Sequence, residues 1–143
     1  STVALRYGNV YGPRQDPLGE AGVIAIFCGK LMNGGRPTVF GDGTQTRDYV
    51  YVGDVVKANL AAADSDVTGP INIGTGQDVT IRELAETVMR VVGFEGRIVF
   101  DATKPDGTPR KLLDVSRAQA LGWRARIGLA DGVASTYAMG SGL

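Results

Sequence analysis

Residues 41–54 read GDGTQTRDYVYVGD. A glycine-rich polar turn runs into Arg47-Asp48-Tyr49 and then into a β-branched and aromatic run, the pattern of a turn opening a short strand. Asp54 stands where it would cap a following helix, rich in alanine and valine, through about Ala63. Turn, strand and helix in so short a span point to an α/β chain. The arginine at the strand mouth is the unusual element. Its guanidinium can converge with backbone N–H groups of the turn on an anion, because a fork of donors matches phosphate oxygens in pairs as lysine cannot. It can equally be a solvated charge or the ion-pair partner of Asp48.

Working outward, Thr2-Val3-Ala4-Leu5-Arg6-Tyr7 alternates like a strand, so the chain reads as beginning inside a sheet. The following GNVYGPRQDPLGEAG is rich in glycine and proline and reads as loop throughout. Residues 22–33 are apolar enough for a buried helix stopped by Gly34-Gly35, and 37–40 and 47–52 read as short strands. PINIGTG reads as a short buried strand and a turn. Thr80-Ile81-Arg82-Glu83 is a capping box, and Ile81, Leu84, Ala85, Val88 and Val92 recur at helical spacing up to Gly93. A strand over 97–100, a loop DATKPDGTPRK, a short helix capped by Asp114 or Ser116 and running up to 121–123, and a last helix over about 129–138 complete the pattern. Strands alternating with helices give an α/β class, with residues 1–139 as one unit and 140–143 as a linker or tail.

The 143 residues balance 15 basic against 15 acidic side chains, so no global field recruits nucleic acid or an anionic membrane. No basic groove with stacking aromatics is legible, and no apolar run approaches the roughly 20 residues that span a bilayer. No charged-then-apolar leader is legible either. One cysteine, Cys28, excludes an internal disulfide framework and fits a reducing, cytoplasmic setting. Histidine is absent, which removes the commonest metal ligand and the commonest general base. No metal site is expected.

GDGTQT and GTGQDV lack the third glycine of a dinucleotide fingerprint, and none of Tyr7, Tyr11, Tyr49, Tyr51 and Tyr137 has a lysine four residues later. Taken alone, the chain carries no recognisable catalytic residues. Arg110 lies in a loop whose prolines leave its side chain free to project; a solvated charge or a pair with Asp114 is the plainer alternative. Asn9 lies just past a strand's carboxyl end, where open α/β sheets bind ligands, and can also be a turn residue bonding its own backbone. Phe40 ends a strand beside glycines, placed to stack on a base or to fill core.

RYGNVYGPRQDP followed by VFGDGTQTRDYVYVGDVVKAN resembles the extended short-chain dehydrogenase/reductase family, the NAD-dependent epimerases and dehydratases. The first half is most similar to bacterial UDP-glucose 4-epimerases. From about Pro70 onward, the run TIRELAETVMRVVGFEGRIVFDATKPDGTPRKLLDVSRAQALGW is most similar to GDP-fucose synthase. That enzyme carries a histidine acid where this chain has Glu20-Ala21-Gly22. The resemblance implies the carboxyl-terminal, substrate-binding portion of such an enzyme, lacking most of the Rossmann domain together with the cofactor fingerprint and the catalytic Ser, Tyr and Lys. It implies Asn9 on the diphosphate or sugar, Arg47 on the diphosphate, Val39 and Phe40 at the base, Arg110 as a second diphosphate clamp, and Tyr7 near the nicotinamide. The function it implies is the substrate-binding part of an NAD-dependent nucleotide-sugar 4-epimerase, inactive by itself. A GDP-fucose synthase, dehydratase or decarboxylase piece, or a non-catalytic sugar-nucleotide module, are the alternatives. The partner is then a UDP-sugar or GDP-sugar, NAD belongs to the full-length family rather than to this piece, and unpaired strand edges should make the chain self-associate.

Overall fold

The computed structural model describes residues 2–15, 22–104 and 109–140. In chain order the elements are β1 (Val3–Tyr7), β2 (Asn9–Tyr11), α1 (Val23–Met32), β3 (Thr38–Phe40), β4 (Thr46–Arg47), β5 (Tyr49–Tyr51), α2 (Val52–Ala63), β6 (Gly69–Ile73), β7 (Val79–Thr80), α3 (Ile81–Val92), β8 (Val99–Asp101), α4 (Ser116–Ala120) and α5 (Leu129–Gly140). The class is α/β. The strands pair two by two: β1 with β6, β2 with β5 and β3 with β8 in parallel, and β4 with β7 antiparallel.

Several strands differ from the expectation: the stretch 47–52 divides into β4 and β5 at Asp48, with Val52 already in α2, and β7 is additional. Residues 9–11, expected as loop, form β2, because pairing with β5 in the register Asn9↔Tyr49 to Tyr11↔Tyr51 outweighs the flanking glycines. At Gly8 the chain changes partners: its N–H donates to Ile73 O at 2.8 Å, and the next N–H, of Asn9, to Asp48 O at 2.8 Å. A Cβ on residue 8 would lie 2.8 Å from that Asp48 oxygen, so the crossing needs glycine. Asn9 is thereby held where the chain passes from one strand pair to another.

Tyr49 and Val50 point to opposite faces of β5, as successive strand residues must, and each enters a different core. On one side Tyr11, Tyr49 and Val39 pack with Phe27 and Leu31 of α1, Leu84 and Val88 of α3, and Val133 of α5. On the other, Val50 packs with Ile71 and Ile73 of β6, Val55 and Ala58 of α2, Ala118 and Trp123. The capping box of α3 is present in both directions, Glu83 N to Thr80 Oγ1 and Thr80 N to Glu83 Oε1, each 3.0 Å, and Gly93 closes the helix in the left-handed conformation.

Asp54 is not a cap. Helix α2 starts two residues earlier, with Tyr51 at its N-cap. The buried Asp54 instead clamps the segment after α4: its carbonyl accepts from Trp123 Nε1 and its Oδ2 from Ile127 N, both at 3.0 Å. The cap of α4 is shared, with Val115 in the N-cap position and Asp114 Oδ1 accepting from Ser116 N. The strand expected at 97–100 begins at Val99, and the last helix runs on to Gly140. Residues 105–108 of the proline loop, Glu20, Ala21 and residues 141–143 lie outside the described residues.

One face stays uncovered. Strand β1 is exposed along almost its whole length, and on α2 Val52, Val56 and Leu60 form a stripe at four-residue spacing with 37%, 52% and 62% exposure. No helix among the described residues is long and apolar enough to cross a membrane.

Candidate ligand-binding site

A cavity of about 450 Å³ opens between α1, the β3–β8 pair and β4. Its apolar bed comes from Val23, Ile26 and Phe27 of α1 and from Phe40, which ends β3 with 47% of its surface exposed. Among the described residues, three cations stand around that bed, Lys30 in the last turn of α1, Arg47 on β4 and Lys104 after β8, together with the carboxylate of Asp101. Asn9 closes one end. The turns that bound it are held by their own side chains. Asp101 Oδ1 accepts from Thr103 N (3.0 Å) and Oγ1 (2.5 Å), and Asp42 Oδ1 from Thr44 N (3.1 Å) and Oγ1 (2.7 Å). In both cases the threonine hydroxyl, then its N–H, holds the carboxyl below the usual range.

Arg47 is half-buried, and its Nη1 donates to Thr46 O at 2.6 Å. Its neighbour Asp48 faces away. Asp48 Oδ1 accepts from Thr75 N (3.0 Å) and Thr75 Oγ1 (2.7 Å), and Oδ2 from Gly76 N (3.0 Å). The carboxylate is occupied in fastening the turn after β6, while Arg47 lines the cavity. Gly74 makes room for it, since a Cβ there would sit 2.7 Å from Asp48 Oδ2. The glycines of GTGQDV thus serve Asp48 and make no cradle for a dinucleotide pyrophosphate. Burial pushes the Tyr49 hydroxyl, in the wall of the cavity, up to about 12, against the opposing pull of Arg47.

A second cavity, of about 350 Å³, is lined by Tyr7, Gly8, Asn9, Asp48 and residues 110–113. Asn9 lines both cavities, so they adjoin there. Tyr7 is 44% exposed and donates to Asn59 Oδ1 at 2.8 Å. A third cavity, of about 390 Å³, lies on the far side of Tyr49 beside Arg124 and Arg126.

Of the residues singled out from sequence, Asn9, Phe40 and Arg47 converge on the first cavity, and Tyr7 and Arg110 fall in the second. Arg110 pairs with Asp78 (Nε to Oδ2, 3.1 Å) rather than with Asp114, and its segment runs beside β4, Thr46 N donating to Pro109 O and Lys111 N to Thr46 O. Val39 is wholly buried in the α1–α3 core and lines none of the three cavities, because strand parity sends Phe40 to the opening and Val39 inward. Lys30, Gln45, Asp101 and Lys104 were not foreseen; only the pairing of β3 with β8 brings the last two beside Phe40. Cys28 is buried, its thiol pushed up to about 11 by desolvation, and has no reactive character. No group of three or more His, Cys, Asp or Glu that could hold a metal occurs among the described residues. An apolar bed with an aromatic at its mouth, ringed by cations, is chemically matched to a flat base carrying a polyanionic tail.

The profile of the NAD dependent epimerase/dehydratase family matches residues 1–74. The chain is 45% identical over 130 residues to UDP-glucose 4-epimerase of Mycolicibacterium smegmatis, covering 90% of this chain and 42% of that protein. It is 41% identical over 145 residues to GDP-L-fucose synthase of Escherichia coli, covering 90% and 45%. Among solved structures, UDP-glucose 4-epimerase of Thermotoga maritima with UDP-glucose superposes with a TM-score of 0.89 at 41% identity, over 94% of this chain and 44% of that one. The chain spans less than half the length of each of these relatives.

Proposed function

The chain belongs to the NAD dependent epimerase/dehydratase family, and from that premise we propose that it is the substrate-binding, carboxyl-terminal part of a nucleotide-sugar 4-epimerase of the UDP-glucose/UDP-galactose type. The observation that carries this reading is the convergence of Phe40, Arg47 and Asn9 on one cavity that continues, at Asn9, into a second. The base lies on Phe40, the diphosphate meets Arg47 with Lys30 and Lys104 nearby, and the hexose extends past Asn9 towards Tyr7. Holding both ends of an elongated ligand fixes the sugar's position, which is this chain's share of the chemistry. The hydride carrier is another matter. On this reading NAD belongs to the portion of the family's enzymes that this chain does not span, and Tyr7, 44% exposed, is the residue here that would face it.

Titration calorimetry with UDP tests the reading. The chain should bind UDP, bind NAD far more weakly, and leave UDP-glucose and UDP-galactose unconverted. Turnover by the purified chain, or no heat with UDP, would refute it. A second reading, a GDP-fucose synthase piece, is supported by the 41% identity to the E. coli enzyme over nearly the whole chain. The non-catalytic module is the remaining reading, and binding without turnover in the full-length protein would favour it.

The same premise bears on association. The exposed β1 and the Val52–Val56–Leu60 stripe leave a strand edge and an apolar face without cover, both prone to self-pairing. We expect the isolated chain to form dimers or larger species. Sedimentation should then show mass rising with concentration, and a monomer across a wide range of concentration would count against it.

A further inference from the structure

Gln45, directly before β4, is 7% exposed and lines the Arg47 cavity. Its Nε2 donates to Phe40 O at 3.3 Å, and its Oε1 is buried without a hydrogen-bond partner. The orientation of the amide follows from its partner: a backbone carbonyl only accepts, so the NH₂ must face Phe40 and the unsatisfied atom is an acceptor. The backbone pins the residue as well, since Gln45 O accepts from Ile81 N at 3.0 Å. A buried acceptor with no donor is costly, and its retention in a cavity wall beside an exposed aromatic asks for a donor that arrives with the ligand.

We propose that Gln45 Oε1 accepts a hydrogen bond from the ring N–H of the base stacked on Phe40, and so selects the class of base. Uracil and guanine carry an N–H at that edge. Cytosine and adenine carry a ring-nitrogen lone pair there, which would face the amide oxygen acceptor to acceptor. A site built around such a hydrogen bond rejects an analogue that cannot make it, because its own buried group is then left unpaired. Gln45 thus accounts for one cavity design serving either a UDP-sugar or a GDP-sugar while excluding the other two bases. The inference rests on the reading of this cavity as the nucleoside diphosphate site.

UDP and CDP, nearly identical in shape, give the test, by calorimetric titration of this chain and of its Gln45→Met and Arg47→Ala variants. The wild type should bind UDP about tenfold to a hundredfold more tightly than CDP, the ratio expected for one buried group left unpaired. Gln45→Met should bring that ratio close to one. If Gln45 matters only for packing, Gln45→Met weakens both nucleotides alike and the ratio stays, which overturns the inference; equal affinities in the wild type overturn it too. Should Gln45→Met fail to fold, N3-methyl-UDP on the wild type removes the same N–H from the ligand side. A drop like that for CDP supports the inference, and an affinity equal to that of UDP refutes it. If UDP does not bind, or binds equally well to Arg47→Ala, the nucleotide reading of the cavity falls and this inference with it. If UDP binding depends on Arg47 but CDP is not discriminated, only the role of Gln45 falls.

Discussion

Replacing Asp48 with alanine is expected to destabilise the fold by about 4 kcal/mol, because it breaks a buried, charged hydrogen-bond network. The two carboxylate oxygens take three hydrogen bonds, from Thr75 N, Thr75 Oγ1 and Gly76 N, and only 2% of the residue's surface is exposed. Hydrogen bonds to a charged group contribute about 1.5–3 kcal/mol each, and removing the acceptor leaves the donors of the β6 turn without partners. Against a typical total of about 5–15 kcal/mol, the loss takes away a large share of the stability. For a chain of this size it corresponds to a fall in Tm of roughly 10–15 °C. Asp48→Asn should lose roughly half as much, since its oxygen still serves Thr75 while its NH₂ now meets the Gly76 N–H. Thermal melts of the three proteins check the order. Had Asp48 been the ion-pair partner of Arg47, Arg47→Ala would lose as much stability as Asp48→Ala, and the double variant little more than either alone.

The second large effect is on binding. Arg47→Ala should weaken UDP binding by about 1.5–3 kcal/mol, roughly a tenfold to hundredfold loss in affinity. Arg47→Lys should recover part of it, because lysine keeps the charge but not the paired donor geometry that matches two phosphate oxygens. Stability should change less than for Asp48, because Arg47 is only half-buried and its Nη1 bond runs to the carbonyl of the neighbouring Thr46. The two neighbours therefore separate cleanly: one chiefly lowers the melting temperature, the other chiefly the affinity. Calorimetry paired with melts on Arg47→Ala and Arg47→Lys measures both quantities in the same samples.

Adjacent residues with opposite duties show what is and is not legible in a sequence. The capping box of α3 and its apolar spacing are readable because every signal lies within one turn of helix and the buried face repeats. The site is readable at Asn9, Phe40 and Arg47, whose chemistry and position at strand ends are local properties. Strand β2 escapes such a reading because three residues between glycines carry too little propensity, and only pairing with a distant strand decides them. Which of Val39 and Phe40 faces inward is unreadable for a related reason: without the pairing partner β8, the side of the strand that faces out cannot be chosen. Asp54 has the right residue type for a cap, yet its tasks, at Trp123 and Ile127, lie about 70 residues away. Lys30, Gln45 and Lys104 have no local signature at all. They become site residues only when α1, the glycine turn and the end of β8 are packed around one space.

The central claim is that the cavity of Phe40 and Arg47 holds a nucleoside diphosphate, and a crystal structure of this chain with UDP tests it most directly. The account predicts the uracil ring on Phe40 with its N3–H towards Gln45 Oε1, and diphosphate oxygens within hydrogen-bond distance of Arg47 and Asn9. UDP bound instead beside Arg124 and Arg126, or a cavity left empty at saturating UDP, would contradict it.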